Sequence, residues 1–216
     1  MRLRQIWGVV ILLLGGLVFA ACGRSGDGLV YTGPTELTVR AGEYVPGTPI
    51  QFVRAGERGA EMRIEGQEAI KLVGDSLKWS GTVGEDVRLS VNLRILHISE
   101  ERLITSGVVT IRVYNVQPRA ATVDTERPVR YTLPVAYKVN TGESIPGTTI
   151  RYVGPEEGKG AKLEGVTGYP YRAIGDSILW DGQLLSNVDL QLNVRVLFFN
   201  EQFMQVLGTA TVGITP

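Results

Sequence analysis

The chain has 216 residues, with 22 basic and 22 acidic side chains, one histidine (His97) and one cysteine (Cys22). A formal charge of zero leaves no basic excess to hold a phosphate backbone, which argues against a nucleic-acid partner. A single cysteine closes no disulfide within the chain, so the fold has to rest on a hydrophobic core.

In chain order, the first element is residues 1–21. Arg2 and Arg4 precede about 16 uncharged residues that end on Ala20-Ala21. A positive start, an apolar run and a small-residue end make a secretory signal peptide. The run falls short of the ~20 residues that span a bilayer comfortably. The segment Val18-Phe19-Ala20-Ala21-Cys22 resembles the lipobox of bacterial lipoproteins, with Phe19 where leucine is usual. The resemblance implies cleavage before Cys22 and lipid on its thiol. It also implies an extracytoplasmic, membrane-anchored place in the bacterial cell envelope. Two acyl chains hold stably where one holds weakly. Gly23 follows Cys22, where an acidic residue would imply retention in an inner membrane. Residues 22–28 then read as a lipidated, flexible tether. Cleavage removes two of the 22 basic residues and no acid, leaving 20 against 22, net about −2. That balance argues against a polybasic membrane contact beyond the lipid.

Past the tether the sequence is written twice, about 100 residues apart. Tyr31-Thr32-x-Pro34 returns as Tyr131-Thr132-x-Pro134, and Gly42-Glu43-x-x-Pro46-Gly47-Thr48-x-Ile50 returns from Gly142 to Ile150. Gly74-Asp75-Ser76-Leu77-x-Trp79-x-Gly81 returns as Gly175-Asp176-Ser177-Ile178-x-Trp180-x-Gly182. Asn92-x-Arg94 returns as Asn193-x-Arg195. Repeat one covers 29–113 and repeat two 129–216, with 114–128 between them as a linker carrying Pro118.

The period inside each repeat is two. From Val87 to Ile95, and from Val188 to Val196, odd and even positions divide into apolar and polar sets. Such alternation is a strand with one face in a core and one in water. The Pro46-Gly47 and Pro146-Gly147 pairs suit type II turns, with proline presetting φ and glycine taking the positive φ after it. No helical stretch is expected after residue 22. The expected fold is all-β: two tandem, duplicated β-sandwich-like domains. The alternative is one larger sandwich or barrel in which the repeats pair about a pseudo-twofold axis.

Few residues suggest chemistry. Gly74-Asp75-Ser76-Leu77 spells the motif of the GDSL hydrolases, but the resemblance covers four residues. That family is α/β and places its histidine in an Asp-x-x-His arrangement, which His97 lacks. The stretch reads as a turn capped by its own Asp and Ser. One histidine without partner ligands makes no metal site, and no Asp-rich calcium loop occurs, so no metal or other cofactor is expected. Trp79 and Trp180 share strand parity with Leu77 and Ile178 and are expected in the core rather than as stacking platforms. Arg94 and Arg195 are expected to pair with nearby carboxylates (Glu43 or Asp75, Glu143 or Asp176). Tyr169-Pro170-Tyr171 has no counterpart in repeat one and lies in a loop-like stretch, so Tyr169 and Tyr171 are the candidate ligand contacts.

The expected function is a non-enzymatic binding or structural role in the cell envelope. The membrane is reached through lipid on Cys22, and the partner is an envelope polysaccharide or an envelope protein. The alternatives are an extracytoplasmic hydrolase and an accessory subunit of an envelope assembly.

Overall fold

The computed structural model describes residues 28–216. The expected signal peptide and Cys22 lie outside the described residues. The first half forms β1 (Leu29–Arg40), β2 (Ile50–Gly56), β3 (Gly59–Ile64), β4 (Gln67–Lys71), β5 (Ser76–Thr82), β6 (Val87–Ile98) and β7 (Arg102–Val113). A short β8 (Arg119–Ala120) follows. The second half forms β9 (Val129–Asn140), β10 (Arg151–Glu156), β11 (Gly160–Glu164), β12 (Tyr171–Arg172), β13 (Ser177–Leu185), β14 (Val188–Phe199) and β15 (Phe203–Ile214). Among the described residues there is no helix, and every strand pairing is antiparallel.

The fold is all-β and sandwich-like. Each half has one long-stranded sheet, ordered β1-β7-β6-β5 in the first and β8-β13-β14-β15-β9 in the second. Each also has a small sheet, β2-β3-β4 and β10-β11-β12. The alternation expected on β6 is present: Val87, Leu89, Val91, Leu93 and Ile95 are buried, while Arg88, Asn92 and Arg94 are exposed. Those five pack in one cluster with Ile50 and Phe52 of β2 and Met62 of β3. A bulge at Ile95/His97 shifts the register, and β14 has the same shift at Val196/Phe198. Alternation ends there because the extra residue puts neighbouring side chains on one side.

The Pro-Gly turns form as the residues require. Thr48 N–H donates to Val45 O at 3.0 Å across Pro46-Gly47, and Gly47 has φ 72°. Thr148, Ile145 and Gly147 repeat this with φ 80°. The turns have a further job, because each docks on the opposite half. A Cβ at Gly47 would stand 3.0 Å from Val129, and one at Gly147 2.6 Å from the Tyr31 hydroxyl. Tyr131 Oη donates to Pro46 O at 2.7 Å. The edge strands β1 and β9 also touch, with Pro134 packed on Gly33. Proline on an edge strand removes a donor that has no neighbour to meet. Buried side chains of both halves form one cluster.

The segment 114–128 is bonded into the second half. Arg119 and Ala120 pair with Gln183 and Gly182 of β13, and Gln117 N–H donates to Leu184 O at 2.8 Å. Its end is fastened by Arg127, which pairs with the buried Asp189 at 2.5 Å.

Candidate functional site

The two tyrosines singled out by the sequence meet on the small sheet of the second half. β12 holds Tyr171 opposite Lys162 of β11, and Pro170 O accepts from Leu163 N–H at 2.8 Å. Tyr169, just before the strand, is 66% exposed. The two rings pack edge to face, 5.3 Å between centroids and 61° between planes. That is a favoured aromatic geometry, and it leaves the Tyr169 ring open to solvent.

A polar brace holds the pair. Tyr171 Oη donates to Glu156 at 2.7 Å. Lys159 bonds the other oxygen of that carboxylate at 2.6 Å and lies 5.0 Å from the Tyr171 ring centre. Lys162 approaches to 3.6 Å. The turn between β10 and β11 brings Glu156 and Lys159 together, with Gly158 at φ 73°. Arg172 donates to Tyr169 O at 2.5 Å and to Tyr171 O at 2.8 Å, tying down the loop backbone. Hydrogen bonds from Lys159 and Tyr171 lower the Glu156 carboxyl to about 2, and the Glu156 bond keeps Lys159 protonated above its ordinary range. Above pH of about 2 the carboxylate is therefore a fixed acceptor, not a proton donor. What the patch offers is an aromatic platform with cationic donors beside it. That combination suits a sugar ring or a peptide. The corresponding stretch of the first half, Glu68-Ala69-Ile70 on β4, has no aromatic ring.

The tryptophans have different fates. Trp180 is 5% exposed, and its Nε1 donates to Thr149 at 3.1 Å. Trp79 is only half-buried. Residue 49 is proline, so the first half lacks that hydroxyl. Trp79 lines an open groove of about 930 Å³ together with Tyr44, Pro46, Pro49 and Pro128. Parity alone gave both rings one fate, and the difference follows from a residue 30 positions away. Each ring leans on a glycine two residues on, since a Cβ at Gly81 or Gly182 would run into it.

The Gly-Asp-Ser stretch is a turn. Asp75 accepts from Leu72 N–H at 2.9 Å, and Asp176 from Ala173 N–H at 2.7 Å. Ser76 lies opposite Arg94 and His97 three residues further along β6, about 10 Å at strand spacing. Arg94 and Arg195 do not take the expected carboxylates. Each donates to the carbonyl of the turn glycine, Gly74 at 2.9 Å and Gly175 at 3.0 Å, and so clamps the turn to the long strand. Among the described residues no three His, Cys, Asp or Glu side chains gather as a metal site. No helix among them is long and apolar enough to cross a membrane. Cys22 lies outside the described residues.

No family model matches the chain, and searches of curated proteins and of solved structures found no match.

Proposed function

We propose that this is a lipid-anchored cell-envelope protein that binds rather than catalyses, and that it takes an envelope polysaccharide on Tyr169 and Tyr171. The observation that carries the reading is the Tyr169 ring, exposed yet held by the Tyr171–Glu156–Lys159 brace. An exposed ring with a fixed pose loses little entropy on stacking a sugar. The hydrolase reading needs Ser76 and His97 within hydrogen-bond reach, and three strand positions separate them.

The test is a thermal-shift titration of the mature, detergent-solubilised protein with peptidoglycan fragments and neutral glycans. A ligand at 100 times its Kd adds about 2.7 kcal/mol of stability. The expected outcome is a shift that Tyr169→Ala abolishes while the unliganded melting point stays put. A parent that shifts with no glycan would sink the polysaccharide reading.

The accessory-subunit reading has its own support. The outer edge of β13 is covered by β8, whereas among the described residues β5 pairs with β6 alone. An open edge accepts an added strand from a partner. In-cell crosslinking from Lys78 on β5 to a single envelope protein is the outcome that would favour it.

A further inference from the structure

Strand alternation sorts charge by face. On β1, β6 and β7 the odd-numbered side chains largely turn inward, and the even-numbered ones form the outer face of the four-stranded sheet. With β5 included, that face carries Arg40, Lys78, Arg88, Arg94, Arg102 and Arg112 against one carboxylate, Glu36. The register sets Arg88 directly opposite Arg112, and Arg40 directly opposite Arg102. Like charges placed so repel. Among the described residues none of the six enters an ion pair. A hollow of about 590 Å³ lies by the first pair, lined also by Gly28, Ser90, Thr110 and Tyr114.

The second half closes the same place with protein. Asp189 stands in the position of Arg88 and Gly213 in that of Arg112. Arg127 lies over Gly213 and pairs with Asp189. One half neutralises itself there, and the other presents two guanidinium groups to solvent.

We infer that the outer face of the first-half sheet is the membrane side of the protein, and that the hollow at Arg88 and Arg112 takes the phosphate of an anionic lipid headgroup. The inference rests on lipidation of Cys22, part of the function proposed above. Gly28 lines the hollow and lies six residues after Cys22. Those six residues span at most about 20 Å, so the anchor holds this face over the bilayer. Guanidinium forks match phosphate oxygens bidentately, and the hydroxyls of Ser90 and Thr110 add donors. The net charge of the chain conceals this because Glu36 is the one acid among the outward strand positions of that face. Asp27, next before Gly28, has one carboxylate for two guanidiniums.

The experiment uses the full, lipidated protein in vesicles of pure phosphatidylcholine and in vesicles rich in phosphatidylglycerol. Acylation consumes Cys22, so Ser80→Cys places the only free thiol on the basic face. Thr209→Cys places it on the outer face of the five-stranded sheet. Maleimide should label Ser80→Cys several-fold more slowly in anionic than in neutral vesicles, with Thr209→Cys unchanged. Arg88→Gln with Arg112→Gln should restore labelling, since two arginines account for roughly 30-fold in attraction to the surface, and high salt should do the same. Equal labelling of Ser80→Cys in both vesicle types overturns the inference. So does protection that survives the double substitution. Asp27→Asn should leave protection unchanged; a gain would make Asp27 the occupant and overturn the phosphate site. Mass spectrometry of the same samples separates the two readings. Cys22 without lipid overturns both, whereas lipid with an unprotected face overturns this one alone.

Discussion

Asp189 is a buried carboxylate held by residues of the segment before β9. It is 2% exposed, accepts two bonds from Arg127 and one from Asp124 N–H, and sits on a strand whose other core positions are apolar. Burial pushes its carboxyl up, but the Arg127 bonds, the Asp124 N–H and the Arg127 charge outweigh that and lower it below its ordinary value. A carboxyl lowered on folding adds stability above its unfolded pKa, near 3.9, and loses it as pH falls through the folded value. Asp189→Asn should therefore destabilise the protein at pH 7 by about 3 kcal/mol, by leaving Arg127 without its anion. The difference from the parent should shrink as pH falls below about 4. Urea unfolding at pH 7 and in the acid range checks both parts. The pair was invisible in the sequence because its partners lie 62 residues apart and one belongs to a stretch that reads as linker.

At the scale of the element, the long strands and the Pro-Gly turns were legible, because both are local. Alternation from Val87 to Ile95 needs only its own side chains, and a type II turn needs only proline and glycine in order. The Tyr169–Tyr171 pair was legible as an aromatic loop. Its brace was not, since Glu156 and Lys159 reach it only through the pairing of β10, β11 and β12. The role of β8 was equally hidden. A two-residue strand has no period to read, and what it does is cover the edge of β13. Exposed edges invite pairing with other chains. Ala121 N–H donates to Asp181 O at 3.2 Å beside this contact. Ala121→Pro removes that donor and should cost about 1 kcal/mol. Hydrogen exchange at Gln183 should rise, while the β14 amides stay protected.

For the whole molecule, the decisive contacts are those between halves. The Tyr131 hydroxyl is desolvated, which pushes its pKa up and keeps it a donor to Pro46 O across the working pH range. Tyr131→Phe leaves that carbonyl short of a partner at a buried junction and should cost about 1–2 kcal/mol. The loss should lower the melting temperature of both halves together, because their buried side chains form one cluster. Calorimetry that resolves two transitions in the variant, or in the parent, would contradict this. Charge follows the same logic. A chain balanced overall divides into a basic sheet face and a complementary acidic remainder, and only the register of four strands tells them apart.

Once residues 1–21, which carry Trp7, are cleaved as proposed, the two unequal tryptophans make the mature protein its own optical gauge. Trp180 is sealed and hydrogen-bonded in the second half, while Trp79 of the first half faces a groove that Val129 and Pro216 of the second help to line. A dissolved quencher such as iodide should therefore dim Trp79 and spare Trp180. The blue, protected fraction of the emission then follows one half and the red, quenchable fraction the other. A filled groove darkens neither ring but removes the quenchable fraction, so occupancy beside Trp79 becomes visible in a cuvette without any added label.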